Sequence, residues 1–334
     1  MKTLGFIIPI YNTKISWIKK CIDSLIFAQL IVNDIEVVIV DNGSKDKEIW
    51  FWLQKNYSNY SFVTLKRFED NYGKKQATLY GINQLQTKFI QVLDSDDWID
   101  SSELKKIIEI LNKTQSDLFF LNYNYYDNKK QKLIKVRKVN KARKEYKTFK
   151  KVPRFLWHFD TNTILNRTFL IENNFSFPDK IKFYEDMYIN MWVLSQARKI
   201  TYINKAFYNY RINLNGINLS STSKMIENIG YFYNLIEELI QLNYKNKTTK
   251  NNMIHLFTLQ YLSVCYFLTV KHSPAEANIL INSLLEKIKY DNKYLFLARG
   301  MKRPTSTMFG NVLTLRGRNK LIKPINKIVL KIRD

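Results

Sequence analysis

Cysteine, histidine, glycine and proline are all scarce in this chain of 334 residues, which has 2, 3, 9 and 6 of them respectively. Cys21 and Cys265 cannot build a disulfide framework, and no CxxC-type metal spacing exists, so both are expected as reduced core thiols. His158, His255 and His272 pair with no cysteine or acid at metal-ligand spacing, which favours structural roles. So few glycines and prolines leave collagen-like, elastic and low-complexity architectures without compositional support. A secretory leader is not expected. The start, MKTLGFIIPIYN, has one lysine and a short apolar run broken by Pro9, with no longer apolar region or small-residue cleavage site, so a cytoplasmic protein is expected.

What is abundant points to a globular protein. Hydrophobic residues make up 46% and aromatics 14%, enough to bury one large core or two modest ones, which excludes a disordered chain. The formal net charge is +24, carried by 53 bases against 29 acids. Most of the bases are lysine, alongside much Asn, Ile, Tyr and Phe, a mixture that an AT-rich genome favours whatever the function. Distribution is more telling than total. Residues 129–154 hold 13 bases and one acid, and residues 299–334 hold 10 bases and one acid, so two basic segments are attached to a nearly neutral body. Each could face phosphate-bearing lipid or nucleic acid.

The first 130 residues alternate β-rich apolar runs with helix-like stretches: LGFIIPI, a helix from about Ser16, IEVVIV, a helix after Lys45, FVTLKR, a helix after Gly73, FIQVL, and a helix after Asp100. This alternation reads as βαβ units around a mainly parallel sheet, an α/β fold. Asp100, with Glu103 three residues on, is expected to cap the last of these helices. DLFFLNYNYYD reads as a further strand. Residues 155–215 mix short strands with a helix near Glu185 to Ala197, and helical patterns follow at about 224–243, 249–271 and 274–289. A domain change is placed near residue 220. Asn251 to Val270 carries no formal charge, but Asn251, Asn252, His255 and Gln260 interrupt it, which favours a buried helix over a membrane span.

In an open α/β sheet, ligands bind beyond the carboxyl ends of the parallel strands. Acids stand at those ends here: IEVVIV runs into Asp41-Asn42-Gly43-Ser44, and FIQVL into Asp94-Ser95-Asp96-Asp97. Two adjacent strands delivering carboxylates to one rim would make a site for a cation and a polar ligand, with hard oxygens suited to Mg²⁺ or Mn²⁺. Asp and Asn also simply favour turns after strands, a reading that is stronger for DNGS than for DSDD.

The order IIPIYN, DNGS, a glycine-containing helix start, LDSDDW, Tyr184-Glu185-Asp186 and Tyr208-Asn209-Tyr210-Arg211 resembles the family 2 glycosyltransferases with their GT-A fold, over about residues 1–220. The resemblance implies a nucleotide-sugar half at about 1–128, an acceptor half at about 155–220 and a helical C-terminal region at 221–334. It implies that Pro9 and Tyr11 line the nucleotide base pocket, where a ring can stack, and that Asp41 accepts from the base's imide, favouring uracil. Asp94 and Asp96 match the DxD pair, with Asp94 near ribose or metal and Asp96 as the direct ligand of Mn²⁺ or Mg²⁺, which neutralises the departing diphosphate. Asp186 matches the general base of an inverting transfer, and Glu185 orients the acceptor or its neighbour. Both acids also open a helix, where its dipole favours them. Arg211 matches a base that reaches the diphosphate, while Tyr208 and Tyr210 read as packing.

The chain departs from the family where relatives carry Gly-x-Ser-x-Ala-Arg-Asn-x-Gly; here the stretch is Gly73-Lys74-Lys75-Gln76-Ala77-Thr78-Leu79-Tyr80-Gly81. Lys74, Lys75 or Arg67 would stand in for the arginine, and Lys75 is taken as the nucleotide-sugar ligand. The C-terminal LRGRNKLIKPINKIVLKIRD interleaves apolar and basic residues at roughly helical spacing and suits a peripheral helix on the anionic inner face of the cell membrane, where lipid-linked acceptors lie. A solvated tail or a contact within a homo-oligomer is the alternative. The expected activity is sugar transfer from a nucleotide diphosphate sugar, UDP-linked by preference, to a hydroxyl of a cell-surface glycan or lipid-linked oligosaccharide. Competing readings are a nucleotidyltransferase, which should have a glycine-rich phosphate loop where IPIYNTKIS stands, a basic nucleic-acid-binding protein, and a degenerate non-catalytic subunit. No recognised nucleic-acid module is present, so no nucleic-acid partner is expected.

Overall fold

The computed structural model describes residues 1–128, 131–137, 145–146, 163–179, 181 and 185–212, with the single positions 238 and 276. The chain divides into two compact units, Met1–Leu214 and Asn215–Asp334, and the account below concerns the first. The helical patterns expected beyond residue 220, the C-terminal tail, Cys265 and all three histidines lie outside the described residues. So does most of the basic segment at 129–154.

Four parallel strands form one half of the sheet: β1 (Lys2–Ile10), β2 (Ile35–Asn42), β3 (Val63–Phe68) and β4 (Thr87–Val92), in the order β3-β2-β1-β4. Nearly every residue of β1 is buried, as a central parallel strand with both faces covered requires. The intervening helices are α1 (Ile15–Val32), α2 (Lys47–Tyr57) and α3 (Lys74–Gln84). Along α1, Ile18, Cys21, Ile22, Leu25 and Ala28 recur at helical spacing and are buried. Cys21 is a free core thiol.

Beyond β4 the sheet becomes mixed. The helix α4 (Ser101–Lys113) leads into β6 (Leu118–Asp127), and the order continues β4-β9-β6-β10-β5, with β9 (Thr163–Asn166), β10 (Ile200–Ile212) and β5 (Trp98–Ile99). β9 is antiparallel to both β4 and β6, whereas β6 and β10 run parallel. Strands β7 (Lys132–Arg137) and β8 (Glu145–Tyr146) pair with β6 and β10. Helices α5 (Arg167–Glu172) and α6 (Glu185–Gln196) complete the unit. Asp100 caps α4 as expected, accepting from the Ser102 N–H at 3.0 Å. Glu103 does not reciprocate; its carboxylate reaches Lys106 at 3.0 Å and Lys205 at 3.2 Å. Among the described residues no helix is long and apolar enough to cross a membrane.

Candidate active site

The parallel register brings the carboxyl ends of three strands to one edge, with Ile10 opposite Asp41 and Ile7 opposite Val92. One expectation needs correction. The strands that deliver Asp41 and Asp94 are not neighbours, because β1 lies between them. That arrangement sets Pro9, opposite Val40, and Tyr11, 39% exposed, on the same rim. The loops after β1 and β2 are laced together: the Asn12 N–H donates to Ser44 Oγ at 3.0 Å, and the Lys45 N–H donates to Asn12 Oδ1 at 2.9 Å. Gly43 has φ +70°, and a Cβ there would meet the Asp70 carbonyl carbon at 2.4 Å, so a side chain is excluded on both counts.

Asp41 is fully buried. Arg67 Nη1 donates to one carboxylate oxygen at 2.6 Å and the Ser44 N–H to the other at 3.0 Å, while Arg67 Nη2 reaches the Ser44 carbonyl at 3.1 Å. The structure therefore places Asp41 beneath the rim rather than on its surface.

The Asp94–Asp97 stretch divides its acids between two environments. The Leu93 N–H donates to the Ile7 carbonyl at 2.9 Å and keeps the chain on the sheet, and the Asp97 N–H closes a turn on the Asp94 carbonyl at 3.0 Å. Asp97 then points inward, accepting from the Tyr208 hydroxyl at 2.6 Å and the Arg211 N–H at 2.7 Å. Burial, with Asp96 and Asp94 nearby, pushes its carboxyl well above the usual range. Burial followed by the charge of Asp94 raises Asp96 to about 6.

Asp94 is paired with Lys74, whose ammonium lies 2.7 Å from Oδ1. That ammonium is also 3.4 Å from Asp186 Oδ2, so the ends of β4 and of α6 share one cation. Lys74 reaches this place because the loop before α3 is fastened to the end of β2. Asn71 Oδ1 accepts from Asn42 Nδ2 at 2.8 Å and from the Gly73 N–H at 2.9 Å, and Gly73 precedes the helix at φ +82°. Burial alone would lower the Lys74 pKa, but Asp94, Asp186 and Glu185 outweigh it and hold the side chain as an ammonium. Burial and the neighbouring Asp186 lift Glu185 to about 7, against the pull of Lys74. Lys75, the lysine favoured from the sequence, turns elsewhere and donates to the carbonyls of Pro178 and Asp179 at 3.4 and 3.3 Å. Neighbouring positions in the first turn of a helix diverge by about 100°, so a run of two lysines does not reveal which one faces the rim.

Arg211 also departs from the expectation. Its guanidinium is buried, with the Trp17, Trp98 and Tyr126 ring centroids at 5.0, 4.9 and 6.0 Å, and it donates to the Asp96 carbonyl and to Asn128 Oδ1, each at 2.6 Å. It thus props the Asp96 loop from behind. Tyr208 is fully buried, as packing requires, and in addition fixes Asp97; Tyr210 packs on Tyr123 and Tyr125. Asp97 and this aromatic cage were not anticipated, since each joins segments more than 80 residues apart.

The open sheet, with acids at the carboxyl ends of its parallel strands faced by a second acidic pair, has the GT-A fold. Residues 6–173 match glycosyl transferase family 2, and the chain belongs to that family. It is 26% identical over 229 residues to the glycosyltransferase GlyA of Streptococcus pneumoniae, a match covering 65% of this chain and 32% of that protein. It is 24% identical over 230 residues to the poly(ribitol-phosphate) β-N-acetylglucosaminyltransferase TarS of Staphylococcus aureus, covering 66% of this chain and 37% of TarS. The chain thus spans about a third of the length of these two relatives. The solved structure of S. aureus TarS 1–349 in complex with UDP-GlcNAc shares the fold, with a TM-score of 0.67 at 18% identity over 88% of this chain and 83% of that one.

Proposed function

We propose that the protein moves a sugar from a UDP-linked donor to a hydroxyl of a cell-surface glycan or lipid-linked oligosaccharide, inverting the anomeric carbon. The observation that carries this reading is the sharing of one ammonium by Asp94 and Asp186, the carboxylates assigned here to the donor and acceptor sides. In the reaction Asp186 takes the proton of the acceptor hydroxyl as its oxygen bonds to the anomeric carbon. The bond from that carbon to the diphosphate oxygen breaks, and UDP leaves from the opposite face. Glu185 stands beside Asp186 to orient the acceptor.

The donor side is supported by several features. Tyr11 has an exposed ring on the rim that can stack on the base. Asp41 already accepts two bonds, but a carboxylate has further lone pairs for an imide N–H. Arg67 and Lys74 are the bases nearest these acids and take the part assigned from the sequence to Lys75. TarS, solved with UDP-GlcNAc, makes a UDP-sugar the first donor class to test.

Asp94 and Asp96 offer hard oxygens that fit Mg²⁺ or Mn²⁺, and a cation offsets both the burial and the Asp94 charge that raise Asp96. Among the described residues no group of three or more His, Cys, Asp or Glu is placed to hold an ion by itself. Two carboxylates completed by substrate phosphates are a usual Mg²⁺ set. When bound, the ion would neutralise charge on the leaving diphosphate. The basic tail, residues 316–334, would attach the enzyme to anionic membrane on its inner face, and its deletion should abolish co-sedimentation with anionic liposomes.

Thermal-shift and transfer assays with UDP-sugars and Mn²⁺ test the reading. Wild type should be stabilised by UDP-sugar with Mn²⁺, and Asp96→Ala should lose the metal-dependent part. No stabilisation by any nucleotide sugar would reject it.

A further inference from the structure

Lys74 is the group through which the two sides of the site touch. Its ammonium is 2.7 Å from Asp94 Oδ1 and 3.4 Å from Asp186 Oδ2, with Glu185 also acting on it electrostatically. It is held there from both directions. The Gly73 turn that starts α3 is tied to the end of β2 through Asn71 and Asn42, and Asp186 opens α6, 112 positions further along the chain. Asp94 therefore has a protein cation against the oxygen it would offer to a divalent ion.

We propose that Lys74 competes with a divalent metal for the cation position between Asp94 and Asp186, so that the metal is held off until the donor's diphosphate arrives. The inference rests on the sugar-transfer reading for its setting, and it adds the order in which the site fills. Two cations close to the one Asp94 oxygen repel each other. A metal entering alone must displace an ammonium anchored by two carboxylates, whereas a metal entering with the diphosphate brings anionic oxygens to which the ammonium can turn. A divalent ion in the place of the ammonium would draw Asp186 as well as Asp94.

Mn²⁺ binding by electron paramagnetic resonance and calorimetry, with no nucleotide present, tests this on the full chain. Removing one positive charge a few ångströms from a divalent ion should tighten Mn²⁺ binding about tenfold or more in Lys74→Gln and Lys74→Met, even with strong screening. Lys74→Arg, which keeps the charge, should stay near wild type. The gain should vanish when Asp94→Asn is added to Lys74→Gln. Circular dichroism identifies folded variants, and either neutral replacement suffices. A Mn²⁺ affinity in a folded neutral variant that rises less than about fivefold overturns the inference. If UDP-GlcNAc binds wild type while that affinity is unchanged, this inference falls alone. If the affinity rises as expected and no nucleotide sugar binds, the sugar-transfer reading falls instead.

Discussion

Replacing Arg211 by methionine separates a buried strut from a substrate ligand. In the structure the guanidinium donates from Nε to the Asp96 carbonyl and from Nη1 to Asn128 Oδ1, both at 2.6 Å. Hydrogen bonds from a charged donor contribute about 1.5–3 kcal/mol each, and the contacts with Trp17, Trp98 and Tyr126 add about 1–2 kcal/mol. Opposing these are the cost of burying the charge, a buried Nη2 with no hydrogen-bond partner among the described residues, and the proximity of Lys20, which sits 3.5 Å over the Trp98 ring. Burial first and the Arg211 charge second lower the Lys20 pKa. The net loss in Arg211→Met, which fills the volume but leaves two acceptors without donors, is about 3 kcal/mol. For a unit of this size that is a fall in Tm of about 6–12 °C by differential scanning calorimetry. Arg211→Lys, keeping charge but not the paired donors, should fall by less. A fall below about 2 °C for the methionine variant, with UDP binding weakened, would refute the buried-strut account and return the guanidinium to the diphosphate.

Two other outcomes follow from the same geometry. Gly43→Ala meets both a φ of +70° and the Asp70 backbone at 2.4 Å, so urea unfolding should show a loss of about 2 kcal/mol or more, with UDP-sugar binding weakened because the DNGS loop shifts. Glu185 has its folded carboxyl raised from 4.5 to about 7, so the native state retains a proton that the unfolded chain releases. Its contribution is neutral below about pH 4.5, and stability is lost as pH rises toward 7. Glu185→Gln should flatten the Tm profile across that window, and an unchanged slope would show that Glu185 is ionised there.

The parallel half of the sheet was legible in the sequence because LGFIIPI, IEVVIV and FIQVL are strands buried on both faces, and the acids that follow them fall at a loop end whatever the packing. Spatial order was not legible. Nothing in the chain order says that β1 separates β2 from β4, or that Trp98 and Ile99 run antiparallel to Asn209 and Tyr208. That last pairing decides the fate of Asp97 and Arg211, which is why one guanidinium assigned to diphosphate is found behind the Asp96 loop. Asp94, Asp96 and Asp97 look alike in one dimension and differ only in which of them finds Tyr208 or Lys74. The choice of Lys75 over Lys74 failed for a related reason: the helix start at Lys74 turns adjacent side chains to different sides.

The most direct measurement of the central claim compares donor affinity with transfer rate in Asp186→Asn. If Asp186 takes the acceptor proton across the gap from Asp94, the variant should bind UDP-sugar with a Kd close to wild type, while the rate of sugar transfer falls by about 100-fold or more. Transfer retained within about threefold of wild type, with the donor bound normally, would contradict the account.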